Sequence, residues 1–155
     1  MWILRRLKMK IPYASATSGQ SARAEIIKLL KHFECDSVGF MDEFKTHSLL
    51  LAFTWRGTQI QLRASARGWA NTFLKENPHT SRMRRGKHEY EIDALDQGMI
   101  AVNSILRDWV KGQVTAIECG VLQFEHVFMP YMLTSDGTPL IDHMKNILPQ
   151  LEDKS

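Results

Sequence analysis

The sequence predicts a single α+β domain in which a three-stranded antiparallel meander packs against about four to five helices. Three observations point there. Between residues 37 and 64 apolar residues recur with period two, the alternation of half-buried strands. On both sides of that stretch they recur at three- and four-residue spacing, the pattern of one helix face. The strand-like runs also stand together, as antiparallel hairpins do, instead of alternating singly with helices as in a parallel sheet. At 155 residues, one domain can build its core without metals or disulfides. Residues 1–17 read as a loosely held arm, 18–151 as the domain and 152–155 as a tail.

Each element follows in order. Ser18 or Ser21 caps a helix over about 20–34, with Ala22, Ile26, Leu29, Leu30 and Phe33 on one face. Arg23, Lys28 and Lys31 fall off that face and read as solvated. Ser37–Asp42 is the first strand, with Val38 and Phe40 on one side. His47–Trp55 is the second, with Leu49, Leu51, Phe53 and Trp55 inward. Arg56-Gly57 makes a tight turn, Gly57 supplying the positive φ. Gln59–Ala64 returns with Ile60 and Leu62 inward, and its apolar face calls for helices over it.

Ser65 caps a short helix, 66–76, that buries Trp69, Ala70 and Phe73. Asn77-Pro78 ends it. After a basic loop, a long helix is expected over 88–111, where Ile92, Leu95, Met99, Val102, Leu106 and Trp109 repeat at three and four spacing. Gly112 is its expected terminator. Such a seam packs against the rest of the chain or against a second copy, a homodimer through helix 88–111. Thr115-Ala116-Ile117-Glu118 fits a capping box. The helix it opens reaches Pro130 with Ile117, Val121, Phe124 and Phe128 on one face. A strand over 114–124 is the competing reading. Ser135-Asp136-Gly137 is a turn, and Thr138-Pro139 opens a final helix, 139–151.

Several function classes drop out. The N-terminal residues Met1 to Lys8 have charges without an apolar run, so no signal peptide is expected there. No stretch approaches the roughly 20 apolar residues of a membrane span, so no membrane partner is expected. Cys35 and Cys119 read as buried thiols of a reducing compartment, which points to the cytoplasm. Metal motifs are absent, and His88, Glu89 and Glu91 diverge around a helix. No nucleophile elbow or phosphate loop occurs, so no cofactor is expected. Asp36, Asp42 and Glu43 flank the strands and leave a metal-dependent nuclease as an alternative, behind non-enzymatic binding.

Charge gives the main lead. Residues 56–87 hold eight basic side chains and one acid, or +7, against +3 for the whole chain. Residues 88–155 hold four bases and eleven acids, or −7. Arg82, Arg84, Arg85 and Lys87 sit in a loop entering a helix N-terminus, where the dipole also favours a phosphate. Arg63 on the outward sheet face and Arg67 beside Trp69 extend the patch, with Trp69 supporting it or stacking on a base. Such a surface binds nucleic acid, DNA ahead of RNA, through phosphates and with little sequence selectivity. The alternative is pairing of the loop with Glu89, Glu91, Asp93 and Asp96.

Residues 11–30 (IPYASATSGQSARAEIIKLL), 53–78 (FTWRGTQIQLRASARGWANTFLKENP) and 98–133 (GMIAVNSILRDWVKGQVTAIECGVLQFEHVFMPYML) resemble small uncharacterised proteins encoded by bacteriophages and prophages. That resemblance implies no activity for any residue. It implies a class of role in the bacterial host cytoplasm: service to DNA replication or recombination, or capture of a host protein. A host-protein partner would meet the acidic C-terminal half or helix 88–111.

Overall fold

The structure, a computed structural model, describes residues 10–145 and 147. The first nine residues of the expected arm, the end of the last expected helix and the tail 152–155 lie outside the described residues. The elements are α1 (Gly19–His32), β1 (Ser37–Glu43), β2 (Ser48–Trp55), β3 (Thr58–Ser65), α2 (Arg67–Glu76), α3 (Lys87–Glu118), α4 (Phe124–Phe128), a 3-10 turn (Met129–Tyr131) and α5 (Leu140–Met144). The strands form one antiparallel sheet in the order β1-β2-β3. The fold is α+β, as the two hydrophobic periods predict.

The chain divides into two compact units. Among the described residues the first comprises 10–25, 42–49 and 64–108, the second 26–41, 50–63, 109–145 and 147. The first unit buries Ala22, Ala66, Ala70, Ala94 and Ala101 beside Leu49, Trp69, Val102 and Leu106. Small side chains allow close backbone approach. At Gly98 of α3 an added Cβ would stand 3.0 Å from the Ala66 carbonyl oxygen and 3.4 Å from the Trp69 ring. Polar ties supplement this core. The Trp69 indole N–H donates to the Pro12 carbonyl at 3.0 Å, the Tyr13 hydroxyl to Asp108 at 2.5 Å, and Gln97 to the Ala16 carbonyl at 2.8 Å. Residues 10–17 are thus held by hydrogen bonds, not loosely as the small, polar composition suggested.

The second unit is built from larger groups. Ile26 and Leu30 of α1, Phe33 just after it, Leu51 and Phe53 of β2, and Ile60 and Leu62 of β3 are buried, as are Phe124, Val127 and Phe128. Trp55 stacks on Phe124 with ring centroids 3.9 Å apart, and on Phe33 at 5.6 Å. Phe128 meets Phe53 and Trp109 near-perpendicularly at 5.5 and 5.9 Å, the edge-to-face geometry that aromatic quadrupoles favour. The β2–β3 hairpin turns through Arg56 (φ 48°) and Gly57 (φ 78°), the double positive φ that matches strand twist.

The long helix differs from its expected span. α3 runs through Gly112 and Thr115 to Glu118. A glycine inside a helix costs only about 1 kcal/mol, and burial of Val110 and Val114 on the surrounding turns outweighs that. Thr115 therefore caps nothing: its hydroxyl donates to the Lys111 carbonyl at 2.6 Å. Neither a helix opened by Thr115 nor a strand over 114–124 forms. Gly120 (φ 71°) is the terminator. The Val121 N–H reaches the Ala116 carbonyl at 2.8 Å and the Gly120 N–H reaches Ile117 at 3.1 Å, the paired closure of a left-handed helix cap.

Two smaller departures follow from that cap. Val121 leaves the expected apolar face and is 72% exposed, and Cys119, expected buried, is exposed. The next helix is only Phe124–Phe128, opened by a reciprocal box of Gln123 and His126. Of the final helix, Leu140–Met144 is helical among the described residues. No helix among them is long and apolar enough to cross a membrane.

Candidate nucleic-acid interface

The basic loop lies in the first unit, between α2 and α3. Its ends are fastened by the chain itself. Asn77 closes α2, its N–H donating to the Phe73 carbonyl at 2.8 Å, and its own carbonyl accepts the Tyr90 hydroxyl at 2.7 Å. His79 Nε2 lies 2.7 Å from the Arg85 carbonyl oxygen. Within the loop the Met83 N–H turns back to the Thr80 carbonyl at 3.1 Å. At the helix entry the Glu89 carboxylate accepts the Gly86 N–H at 3.2 Å, half of a capping box in which glycine has no side chain to return the bond.

The four cations of this loop separate into two kinds. Arg85 forks onto Asp93, Nε to Oδ2 at 3.0 Å and Nη2 to Oδ1 at 2.9 Å. That hydrogen bond raises the Arg85 pKa further above its ordinary value, and the guanidinium anchors the loop to the second turn of α3. Arg82, Arg84 and Lys87 are exposed and form no ion pair among the described residues. The pairing alternative is therefore realised at one position and not at the other three. Glu89, Glu91 and Asp93 set three negative charges against these four positive ones over residues 82–93, so the local excess is +1. The carboxylate of Glu89 also occupies part of the field at the helix N-terminus that a phosphate would use.

The other sequence-predicted residues are placed differently. Arg67 is exposed at the start of α2, and its guanidinium reaches toward the Thr46 and Lys45 carbonyls at 3.4 and 3.5 Å. Arg63 is exposed on β3 and belongs to the second unit. Trp69 is 8% exposed, parallel to Phe73 at 5.5 Å, with its N–H spent on Pro12. It offers no free face to a base and acts as packing beneath α2. Of the apolar seam expected on α3, Val102 and Leu106 are buried and Ile92 is exposed, while Trp109 packs against Phe128 in the second unit. Among the described residues no three histidine, cysteine, aspartate or glutamate side chains gather as a metal-binding group.

A second feature of the first unit went unread in the sequence. Arg23, expected on a solvated face, has a side chain only 14% exposed. Its Nη1 donates to Asp42 Oδ2 at 3.2 Å, its Nη2 to Oδ1, and its Nε to Asn103 Oδ1 at 2.7 Å. Asn103 is 4% exposed and completes its bonds through Nδ2 to the Met99 carbonyl at 2.7 Å. A Cβ on Gly19 would meet that amide at 3.1 Å, so α1 begins hard against α3. The available signal was Asn103 itself, a polar residue one turn after Met99 in an apolar stripe. These groups floor a cleft of about 450 Å³. No family model matches the chain, and no curated protein or solved structure matches it.

Proposed function

We propose that the protein is a non-enzymatic nucleic-acid-binding accessory protein of the bacterial host cytoplasm that holds phosphates on the loop between α2 and α3. One observation carries this reading: Arg82 and Arg84 on a loop fastened at both ends, and Lys87 at the first position of α3, stand exposed and form no ion pair among the described residues. A fastened loop loses little conformational freedom when a phosphate docks, and more of the attraction survives as affinity. Arg85 positions the loop through Asp93 and is not counted as a phosphate ligand. Arg67 is an auxiliary contact from the first turn of α2. Trp69 supports that turn from below.

With three cations, binding is expected to be modest, salt-sensitive and tolerant of sequence, because phosphate contacts carry no base information. Fluorescence anisotropy with labelled single- and double-stranded DNA at low salt tests the proposal. Binding that disappears in an Arg82→Gln/Arg84→Gln/Lys87→Gln variant, folded by circular dichroism, is the expected result. Undiminished binding by that variant, or none by the wild type, overturns it.

A further inference from the structure

The cleft in the first unit is independent of the basic loop, and its chemistry has the opposite sign. Its floor is the Arg23–Asp42 pair with Asn103, where one positive and one negative charge cancel. Two further carboxylates line it, Asp96 of α3 and Glu43 at the end of β1, where Glu43 accepts the Thr46 hydroxyl at 3.2 Å. Asp96 is exposed and forms no ion pair among the described residues. Met99 and Ile100 supply an apolar wall. Phe44, at the tip of the turn, lines the same cleft and is 83% exposed.

A phenyl ring left in water forgoes the gain that its burial would bring. Its quadrupole presents a negative face. Beside carboxylates and an apolar wall, such a ring fits a positive group carried on a hydrocarbon stem. The turn bearing it is also set in shape. His47 adopts φ 48°, a left-handed conformation uncommon for non-glycine residues. Its carbonyl accepts the Ala66 N–H at 2.8 Å, which fixes the turn to the residue preceding α2. The volume of about 450 Å³ lies within the range of small-ligand clefts.

We propose that this cleft binds an organic cation, an alkyl-ammonium or guanidinium group whose charge lies between Asp96 and Phe44 and whose stem lies along Met99 and Ile100. The group comes either from a free amine or from a lysine or arginine side chain of a protein partner. Binding removes Phe44 from water and places a positive charge by Asp96, and the Arg23–Asp42–Asn103 floor stays intact.

Two-dimensional amide NMR of the full chain tests this with agmatine, with N-acetyl-arginine methylamide, and with N-acetyl-citrulline methylamide as the uncharged control. Saturable shifts at Phe44, Asp96 and Ile100 from the charged probes, and none from citrulline, are expected. Asp96→Asn and Phe44→Ala, both exposed and able to fold, should each weaken binding about two- to fivefold. Agmatine binding as tightly as the arginine derivative supports a free amine as the source, and a clear preference for the derivative supports a protein side chain. Absent shifts, equal binding of citrulline, or affinity unchanged in both variants overturns the proposal.

Discussion

Where the first unit buries five alanines, Ala22, Ala66, Ala70, Ala94 and Ala101, the second buries four phenylalanines, Phe33, Phe53, Phe124 and Phe128. An alanine contributes one methyl group, whereas an aromatic ring buries about 150–250 Å². The second unit is therefore held mainly by apolar area, and the first by close backbone approach and by polar ties. Buried Asn103, the Arg23–Asp42 pair, the Trp69–Pro12 bond and the Arg85–Asp93 fork all lie in the first unit. The two candidate sites lie there as well. Polar groups that are fastened to one another can be presented to a ligand without rearrangement, and an aromatic core offers no such groups.

The contrast can be broken most forcefully in the second unit. Phe128 is fully buried among Phe53, Trp109 and Phe124, so Phe128→Ala should cost about 3–5 kcal/mol in chemical denaturation. A loss below about 1 kcal/mol would mean that the ring cluster does not dominate that unit's stability. In the first unit the sensitive direction is the reverse, toward larger side chains. Gly98→Val should destabilise by about 1–3 kcal/mol, because its Cβ meets the Ala66 carbonyl and Trp69 ring. A neutral or stabilising result would refute the close approach.

Asp42→Asn should cost about 1–3 kcal/mol, since Arg23, largely out of water, then keeps only weakened partners. Replacing Arg23 and Asp42 together by Met and Leu should cost less than the two single changes summed. Additivity would show the pair to be uncoupled.

The smallest effect concerns pH. Burial pushes the Cys35 thiol up from 9.0 to about 11. A group whose folded pKa is raised adds stability that is fully present below its unfolded pKa and lost as pH rises through the folded one. Stability should thus decline between pH 9 and about 11, and Cys35→Ala should remove that share of the decline. Exposed Cys119 should also be alkylated well before Cys35, a simple gel-shift measurement. An identical pH profile in Cys35→Ala would show that burial does not perturb this thiol.

Legibility in the sequence follows the same division. The meander was readable because Leu49, Leu51, Phe53, Ile60 and Leu62 alternate strictly and each buries a large side chain. The end of α3 was misread because Gly112 and Thr115-x-x-Glu118 are local signals. Burial of Val110 and Val114 is tertiary and overrides them. The charge of the basic loop could be counted directly. That Arg85 would be taken by Asp93 could not, since the pair spans eight residues and a helix entry. The cleft was least accessible of all. Its floor joins residues 19 and 80 positions apart, and no periodicity relates such positions. Only a polar residue in an apolar register, Asn103, marked it.

The salt dependence of DNA binding tests the central claim most directly, because it counts phosphate contacts. Three cations, Arg82, Arg84 and Lys87, predict a slope of log K against log salt of about −2.7 on duplex DNA. The slope should fall by about 0.9 for each cation changed to glutamine. Charge neutralisation of Arg67 should lower it less. A wild-type slope near zero, or one that the triple glutamine variant retains, would contradict phosphate binding by this loop.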